Sequence, residues 1–355
     1  MEDSHAVGPP PDELRPIPPT HGDFPVYRDL AQELAGSDLS LVPDQMLPHV
    51  LSVAAAYSYA SDVATLASVM TRMGLLGCRC YAVSESVDAM LINAHARLVQ
   101  SRDGRVVILA FRGTPPMDTV SWLVDVDTTS HNIVLRGLQE LGGPVTEYQV
   151  HAGFYRNTRA VRYMVLEALL RARRAESVIP DDGPVDHAME ALYVTGHSLG
   201  GAMACLFTLM LRADPAYGAL AAALQATCTF GQPMVGTPAL AETVAADDLA
   251  DRFARYIYRR DPVPHLPPAI TGGFAHFGIE YRFGNAWQRA RGVTRQSTNP
   301  LDLLHLPGTA LARRTVLRRF PLPWFSADDH NPANYVTALT PKDRSNEFGD
   351  DHFSR

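Results

Sequence analysis

The stretch that most constrains this chain is residues 191–210, ALYVTGHSLGGAMACLFTLM. An apolar β-type run, Leu192-Tyr193-Val194-Thr195, leads into Gly196-His197-Ser198-Leu199-Gly200. A helical pattern follows at once, with Ala202, Cys205, Leu206 and Leu209 at helix spacing. This is G-x-S-x-G between a strand and a helix, the setting in which the motif lifts a serine onto a sharp turn. Gly196 and Gly200 suit a bend where side chains would collide, and Gly201 lets the helix pack close to the strands. The new helix aims its N-terminus at the serine oxygen, so the Leu199 N–H and the helix dipole favour a developing oxyanion. The plainer reading is an ordinary glycine-rich turn. The strand before it and the helix after it favour a nucleophile at Ser198.

The bulk composition narrows the setting. With 355 residues, 46% hydrophobic and 19% charged, the chain suits one large α/β domain, or one domain with appendages. A net charge of −7 gives no sign of a nucleic-acid partner. Lysine occurs once, at Lys342, so the 31 basic residues are almost all arginine. Cys78 and Cys80 are too close to bridge comfortably, and Cys205 and Cys228 read as small core residues. No disulfide framework follows, and a reducing compartment is compatible. The first residues hold no positive segment followed by an apolar one, so no Sec-type signal is read and a cytoplasmic location is expected, with other export routes left open. No apolar run reaches the ~18 residues of a transmembrane segment.

In chain order, residues 1–40 open with a proline-rich stretch that reads as a flexible tail. A domain is expected over 41–340, followed by a polar tail at 341–355. Residues 41–76 carry the pattern of two helices, and 78–84 that of a short strand. Residues 90–100 and 105–112 read as adjacent strands around an Asp-Gly turn. The second, VVILAF, is apolar on both faces and therefore central. Residues 128–148 read as irregular, with an amphipathic stretch, and a long helix begins near His151. After the serine unit come a strand at 227–230, a helix at 238–245, a strand at 254–259, a further strand at 275–283, a poorly patterned excursion at 285–323 and a last helix within 328–339. Strands alternating with helices predict a mainly parallel central sheet with helices on both faces.

A serine hydroxyl is a weak nucleophile at neutral pH and needs a base, which in turn needs an orienting carboxylate. In α/β-hydrolase folds both follow the serine, acid first. Asp261 stands at the end of the strand 254–259, where Pro262 turns the chain, and catalytic groups collect at such strand ends. The base candidates are His265, His276, His305, His330 and His352; His330 lies on a loop just before the last helix, and His265 is too near Asp261 in sequence to face it easily. Thr114, after the central strand, is the natural second oxyanion donor. No His-x-x-x-His or Cys-x-x-Cys spacing supports a metal, and this chemistry requires no cofactor.

Several stretches together resemble the class 3, fungal-type lipase family. VVILAFRGT resembles its oxyanion strand, WLVD at 122–125 its Trp-x-x-Asp, and HAGF at 151–154 its His-x-Gly-Phe. VTGHSLGGAMA at 194–204 is similar to its nucleophile turn, TFGQPMVG at 229–236 to its Thr-Phe-Gly-x-Pro-x-Val-Gly, YRRDPVPHLPP at 258–268 to its acid segment, and DHNPANY at 329–335 to its histidine segment. The resemblance implies an α/β-hydrolase fold, Ser198 as nucleophile, Asp261 as acid, His330 as base, and backbone donors at Thr114 and Leu199. His197, Trp122 and His265 are candidates for the substrate pocket. The implied activity is hydrolysis of acylglycerol or other lipid esters, with transient contact at a lipid interface. A phospholipase A1 or an acyltransferase would use the same residues, and a binding protein that retained the fold is a further alternative.

Overall fold

The computed structural model describes residues 4–9, 24–36, 39–87, 92–114, 130–135, 146–267, 273–295 and 326–344, with backbone alone at 130–135, 146 and 327. The strand Val106–Arg112 shows why the sheet forms where it does. Val107, Leu109 and Phe111 enter the core on one face, and Val106, Ile108 and Ala110 enter the core on the other. Such a strand must be covered on both sides.

Around it, in chain order, lie β1 (His5–Val7), β2 (Arg79–Val87), β3 (Ile92–Gln100), β4 (Val106–Arg112), β5 (Ser130–Leu135), β6 (Thr146–His151), β7 (Ala191–His197), β8 (Leu224–Phe230), β9 (Phe253–Tyr258), β10 (Ala275–His276), β11 (Ile279–Phe283), β12 (Trp287–Arg291) and β13 (Thr294–Arg295). Among the described residues the main sheet runs β1-β2-β3-β4-β7-β8-β9-β11-β12. Its centre, β4-β7-β8-β9-β11, is parallel, and the edges β1-β2-β3-β4 and β11-β12 are antiparallel. The mainly parallel sheet expected from the sequence is therefore parallel where the candidate residues lie.

Helices cover both faces. The helices are α1 (Leu30–Ala35), α2 (Met46–Tyr57), α3 (Val63–Met73), α4 (Ala152–Arg173), α5 (Leu199–Ala213), α6 (Gly218–Ala223), α7 (Pro238–Ala245) and α8 (Pro332–Leu339). α4 to α7 build the core on one face, and α1, α2, α3 and α8 build it on the other. α2 is buried without a break from Leu47 to Ala56, the pattern of a helix enclosed on all sides. Among the described residues, no helix is long and apolar enough to cross a membrane.

The structure corrects the sequence reading at several places. Part of the expected tail belongs to the body: β1 pairs with β2, and Val26, Tyr27, Leu30 and Leu34 are buried. Tyr193 donates a hydrogen bond to Leu34 O at 2.7 Å, fastening that segment beneath the sheet. Within the stretch 128–148 read as irregular, Ser130–Leu135 forms β5 and pairs antiparallel with β6, which runs from Thr146 to His151. The strand at 78–84 extends over Arg79–Val87. The single strand expected at 275–283 is split by Gly278, whose φ of +81 turns the chain between β10 and β11. The start of the excursion at 285–323 forms β12 and β13, and residues 296–325 lie outside the described set.

His49 joins distant parts of this frame. It is fully buried, within 2.9 Å of Tyr27 Oη and 3.3 Å of Thr340 Oγ1. Burial, and secondarily the Arg344 charge, push its pKa down to about 3 from an ordinary 6.5. The native state thus refuses a proton that the unfolded chain accepts below about pH 6.5. Stability from this group is complete above that pH and falls as pH drops toward about 3. His197 and His276 are depressed for the same first cause, burial. Within the window, one such histidine removes about 1.4 kcal/mol of stability per pH unit. Denaturant unfolding is expected to give a lower free energy near pH 5 than near pH 7, with His49→Gln reducing the difference. Equal stability at both pH values would contradict this.

Candidate active site

Parallel strands bring their carboxyl ends to one edge of the sheet, and the candidate residues sit on the loops leaving that edge. β4 exits into Gly113-Thr114, β7 into Ser198, β8 into Gly231 and β9 into Asp261. The strand register sets these ends side by side, with Phe111 opposite Gly196, His197 opposite Phe230, and Phe230 opposite Tyr256.

Ser198 occupies the bend between β7 and α5 with φ 59 and ψ −130, a conformation that a residue with a side chain rarely holds. Its N–H donates to Phe230 O at 2.9 Å, and its carbonyl accepts from Ala202 N at 3.2 Å, starting the helix. A Cβ on Gly200 would lie 2.1 Å from Phe111 O, so only glycine lets α5 begin against β4. The serine is 1% exposed. Leu199 is the first residue of α5, and an N–H in that position has no partner within its helix. Thr114 lies one residue past Gly113, and a Cβ on Gly113 would come 3.1 Å from Ser198 Cβ. The exit of β4 therefore abuts the serine. Leu199 follows the serine directly and Thr114 stands one residue beyond the glycine that abuts it.

Asp261 and His330, 69 residues apart in sequence, meet with His330 Nδ1 2.8 Å from Asp261 Oδ2. Asp261 is fully buried and His330 is 4% exposed. The other carboxylate oxygen, Oδ1, accepts from Val263 N at 2.8 Å. Tyr335, on α8, also donates its hydroxyl to Oδ2, while that hydroxyl accepts from Tyr258 N at 3.2 Å. Burial, and then the Asp261 charge, raise the Tyr335 phenol well above its ordinary value, so it remains a donor. These bonds fix the carboxylate and direct it at one nitrogen of His330. The opposite nitrogen, Nε2, is buried and makes no hydrogen bond among the described residues. An imidazole held at Nδ1 by a carboxylate keeps its lone pair at Nε2, the state of a base ready to take a proton.

Gly231 makes this meeting sterically feasible. Its φ is +56, and a Cβ there would stand 2.7 Å from Asp261 Oδ2 and 2.9 Å from His330 Nδ1. The acid loop is also held from beyond. His276 Nε2 lies 2.8 Å from Pro264 O, and the buried pair Arg255–Glu280, at 3.0 Å, ties β9 to β11 beneath it.

The remaining candidates separate. His197 is 1% exposed and stacks behind His330, with ring centroids 4.4 Å apart. His265 lies in the turn after Asp261, its pKa lowered by burial first and by Arg282 second. Trp122 lies outside the described residues. Tyr335 was visible in the sequence as a tyrosine five residues after His330, without a role. Tyr59, which bonds His197, carried no signal at all.

A strained serine turn, an aspartate at the next-but-one strand end and a histidine before the last helix, all on one doubly covered sheet, fit the α/β-hydrolase fold. Residues 108–271 match the family Lipase (class 3). The triacylglycerol lipase OBL1 of Arabidopsis thaliana is 27% identical over 58% of this chain and 42% of its own length. A lipase of Rhizomucor miehei is 29% identical over 55% of this chain and 46% of its own. A solved triacylglycerol lipase, described as having a serine protease triad at its catalytic centre, superposes with a TM-score of 0.52 at 23% identity, covering 80% of this chain and 91% of its own. The matches span under half the length of these curated relatives. Over residues 108–271 the chain is similar to the class 3 lipases.

The Tyr335–Asp261 bond carries its own test. A hydrogen bond to a buried charge contributes about 1.5–3 kcal/mol. Tyr335→Phe is expected to lower unfolding stability by about that amount, and to lower the rate of any reaction that uses His330 about tenfold. Denaturation and steady-state kinetics measure both. A variant unchanged in stability and rate would show that the tyrosine does not hold the acid.

Proposed function

We propose that this chain is a serine carboxylic-ester hydrolase acting on acylglycerol esters. The observation that carries the reading is the Asp261–His330 pair, 2.8 Å apart and buried, at the strand ends that also hold the strained Ser198. The family match and the names of the relatives, triacylglycerol lipases among them, support the substrate class.

In this reading His330 Nε2 takes the proton of Ser198 as its oxygen attacks the ester carbonyl carbon. The carbonyl oxygen becomes an oxyanion facing the Leu199 and Thr114 N–H groups. Removing one such donor costs about 3 kcal/mol of transition-state stabilisation. His330, now protonated, gives its proton to the leaving alcohol, and the acyl group stays on Ser198. Water then attacks the acyl-enzyme by the same route and restores the serine. Asp261 stays ionised throughout and stabilises the imidazolium. Because both of its oxygens already accept hydrogen bonds, it need not be reorganised during the reaction. His265, in the turn after Asp261, is proposed to border the acyl group.

Hydrolysis of p-nitrophenyl esters from acetate to palmitate, below and above their solubility limits, tests the proposal. Hydrolysis is expected, rising with chain length and in dispersed substrate, and falling at least about a thousandfold in Ser198→Ala. Activity confined to short soluble esters would replace the lipase reading by a carboxylesterase. Activity surviving in folded Ser198→Ala would overturn the nucleophile.

A further inference from the structure

His197 precedes the serine but belongs, structurally, to the base. Its ring is tilted 33° to the His330 ring with centroids 4.4 Å apart, a distance at which the two faces touch. Tyr335, which holds Asp261, meets His197 edge-on at 5.7 Å. On the far side Tyr59 Oη is 3.0 Å from His197 Nδ1. A Cβ on Gly113, the residue before Thr114, would lie 2.3 Å from the same hydroxyl oxygen, so Tyr59 also lies against the exit of β4. The same hydroxyl donates to the His197 backbone carbonyl at 3.5 Å, so Tyr59 touches both the ring and the main chain of that residue. His197 Nε2 is buried and makes no hydrogen bond among the described residues.

One continuous chain of contacts results. It runs from the end of β4 through Tyr59 and His197 to the ring and backbone of His330, and on to Asp261 and Tyr335. None of it requires a charge on His197. Burial comes first among the causes that depress its pKa, and the neighbouring His330 comes second. The charged or titratable groups about the pair are Tyr59 after α2, Arg112 at the end of β4, Asp261 on the acid loop and Tyr335 on α8. Tyr59 and Tyr335 both stay protonated, since burial raises each phenol.

We propose that His197 is a positioning residue for the reaction: a neutral aromatic platform, latched by Tyr59, that holds the His330 ring and favours its protonated form. This rests on the reading of His330 as the base. The physical reason is that the π-face of an uncharged ring attracts a cation lying against it. His330 acquires positive charge on the way to the tetrahedral intermediate, so the platform stabilises the reacting state more than the resting one. His197 therefore acts on kcat through the His330 ring that it lies against.

The test uses the full chain, with each variant's active fraction counted by an organophosphonate ester so that misfolded protein does not contribute. His197→Leu keeps an apolar side chain but has no π-face; His197→Phe keeps the face and loses the latch. In the leucine variant kcat is expected to fall about tenfold or more with KM unchanged. Its acid limb of kcat/KM is expected to move down by about half to one pH unit, because the imidazolium has lost its partner. In the phenylalanine variant kcat falls about threefold and the acid limb stays at the wild-type pH. Tyr59→Phe leaves the ring but unlatches it, and is expected to lower kcat about threefold to tenfold with KM unchanged. If the leucine and phenylalanine variants share one acid limb, the platform is wrong, whatever their rates. If Tyr59→Phe turns over at the wild-type rate, the latch is wrong. A wild-type protein that neither hydrolyses esters nor takes up phosphonate would instead overturn the hydrolase reading itself.

Discussion

The rest of this structure depends on one strained residue. Ser198 is held at φ 59, ψ −130, in a conformation that costs on the order of 1–3 kcal/mol. It persists because everything around it is fixed. The strand before it is buried at every position, and the helix after it is buried along almost its whole length. Its N–H is bound to the neighbouring strand, and Gly200 admits the backbone of β4 at a distance no side chain would permit. The sheet and its two helical layers overdetermine the turn. The turn in turn sets the serine at the N-terminus of the helix that follows it. Strain here is an instrument of orientation, maintained by a core built on both faces of β4 and β7.

The acid side follows a different rule. A carboxylate as buried as Asp261 would be costly if any oxygen lacked a partner. Val263 N–H satisfies one oxygen; His330 and Tyr335 share the other. Every partner comes from a different part of the chain: the loop itself, the turn before α8, and α8. A satisfied buried network of this kind has one geometry, because moving any member leaves a polar group unpaired. The base inherits that geometry, and Gly231 leaves the space in which it is assembled.

Much of this was legible in the sequence because it is local. The apolar run into Gly196 and the helical pattern after it placed the nucleophile turn. The helix expected at 238–245 is found at Pro238–Ala245, with proline in its first turn. A strand ending in Asp-Pro placed Asp261. What stayed hidden is long-range. Tyr59 acts on a residue 138 positions away, and Tyr335 on one 74 away, so no window of sequence contains either pair. The β5–β6 pairing was missed because Ile133-Val134-Leu135 is an unbroken apolar run, so the alternation of Glu147-Tyr148-Gln149-Val150 had no matching partner in the sequence. Val26, Tyr27, Leu30 and Leu34 were missed because the prolines nearby gave the segment the composition of a tail, although its apolar residues cover the sheet.

The central claim is that Ser198 is made nucleophilic by His330 and Asp261. Its most direct test is the site of covalent modification by an organophosphonate ester, located by peptide mass spectrometry, in the native chain and in His330→Ala. The account predicts one adduct, on the peptide containing Ser198, formed rapidly in the native chain and at least about a thousandfold more slowly without the base. An adduct at another residue, or equal rates of labelling with and without His330, would contradict it.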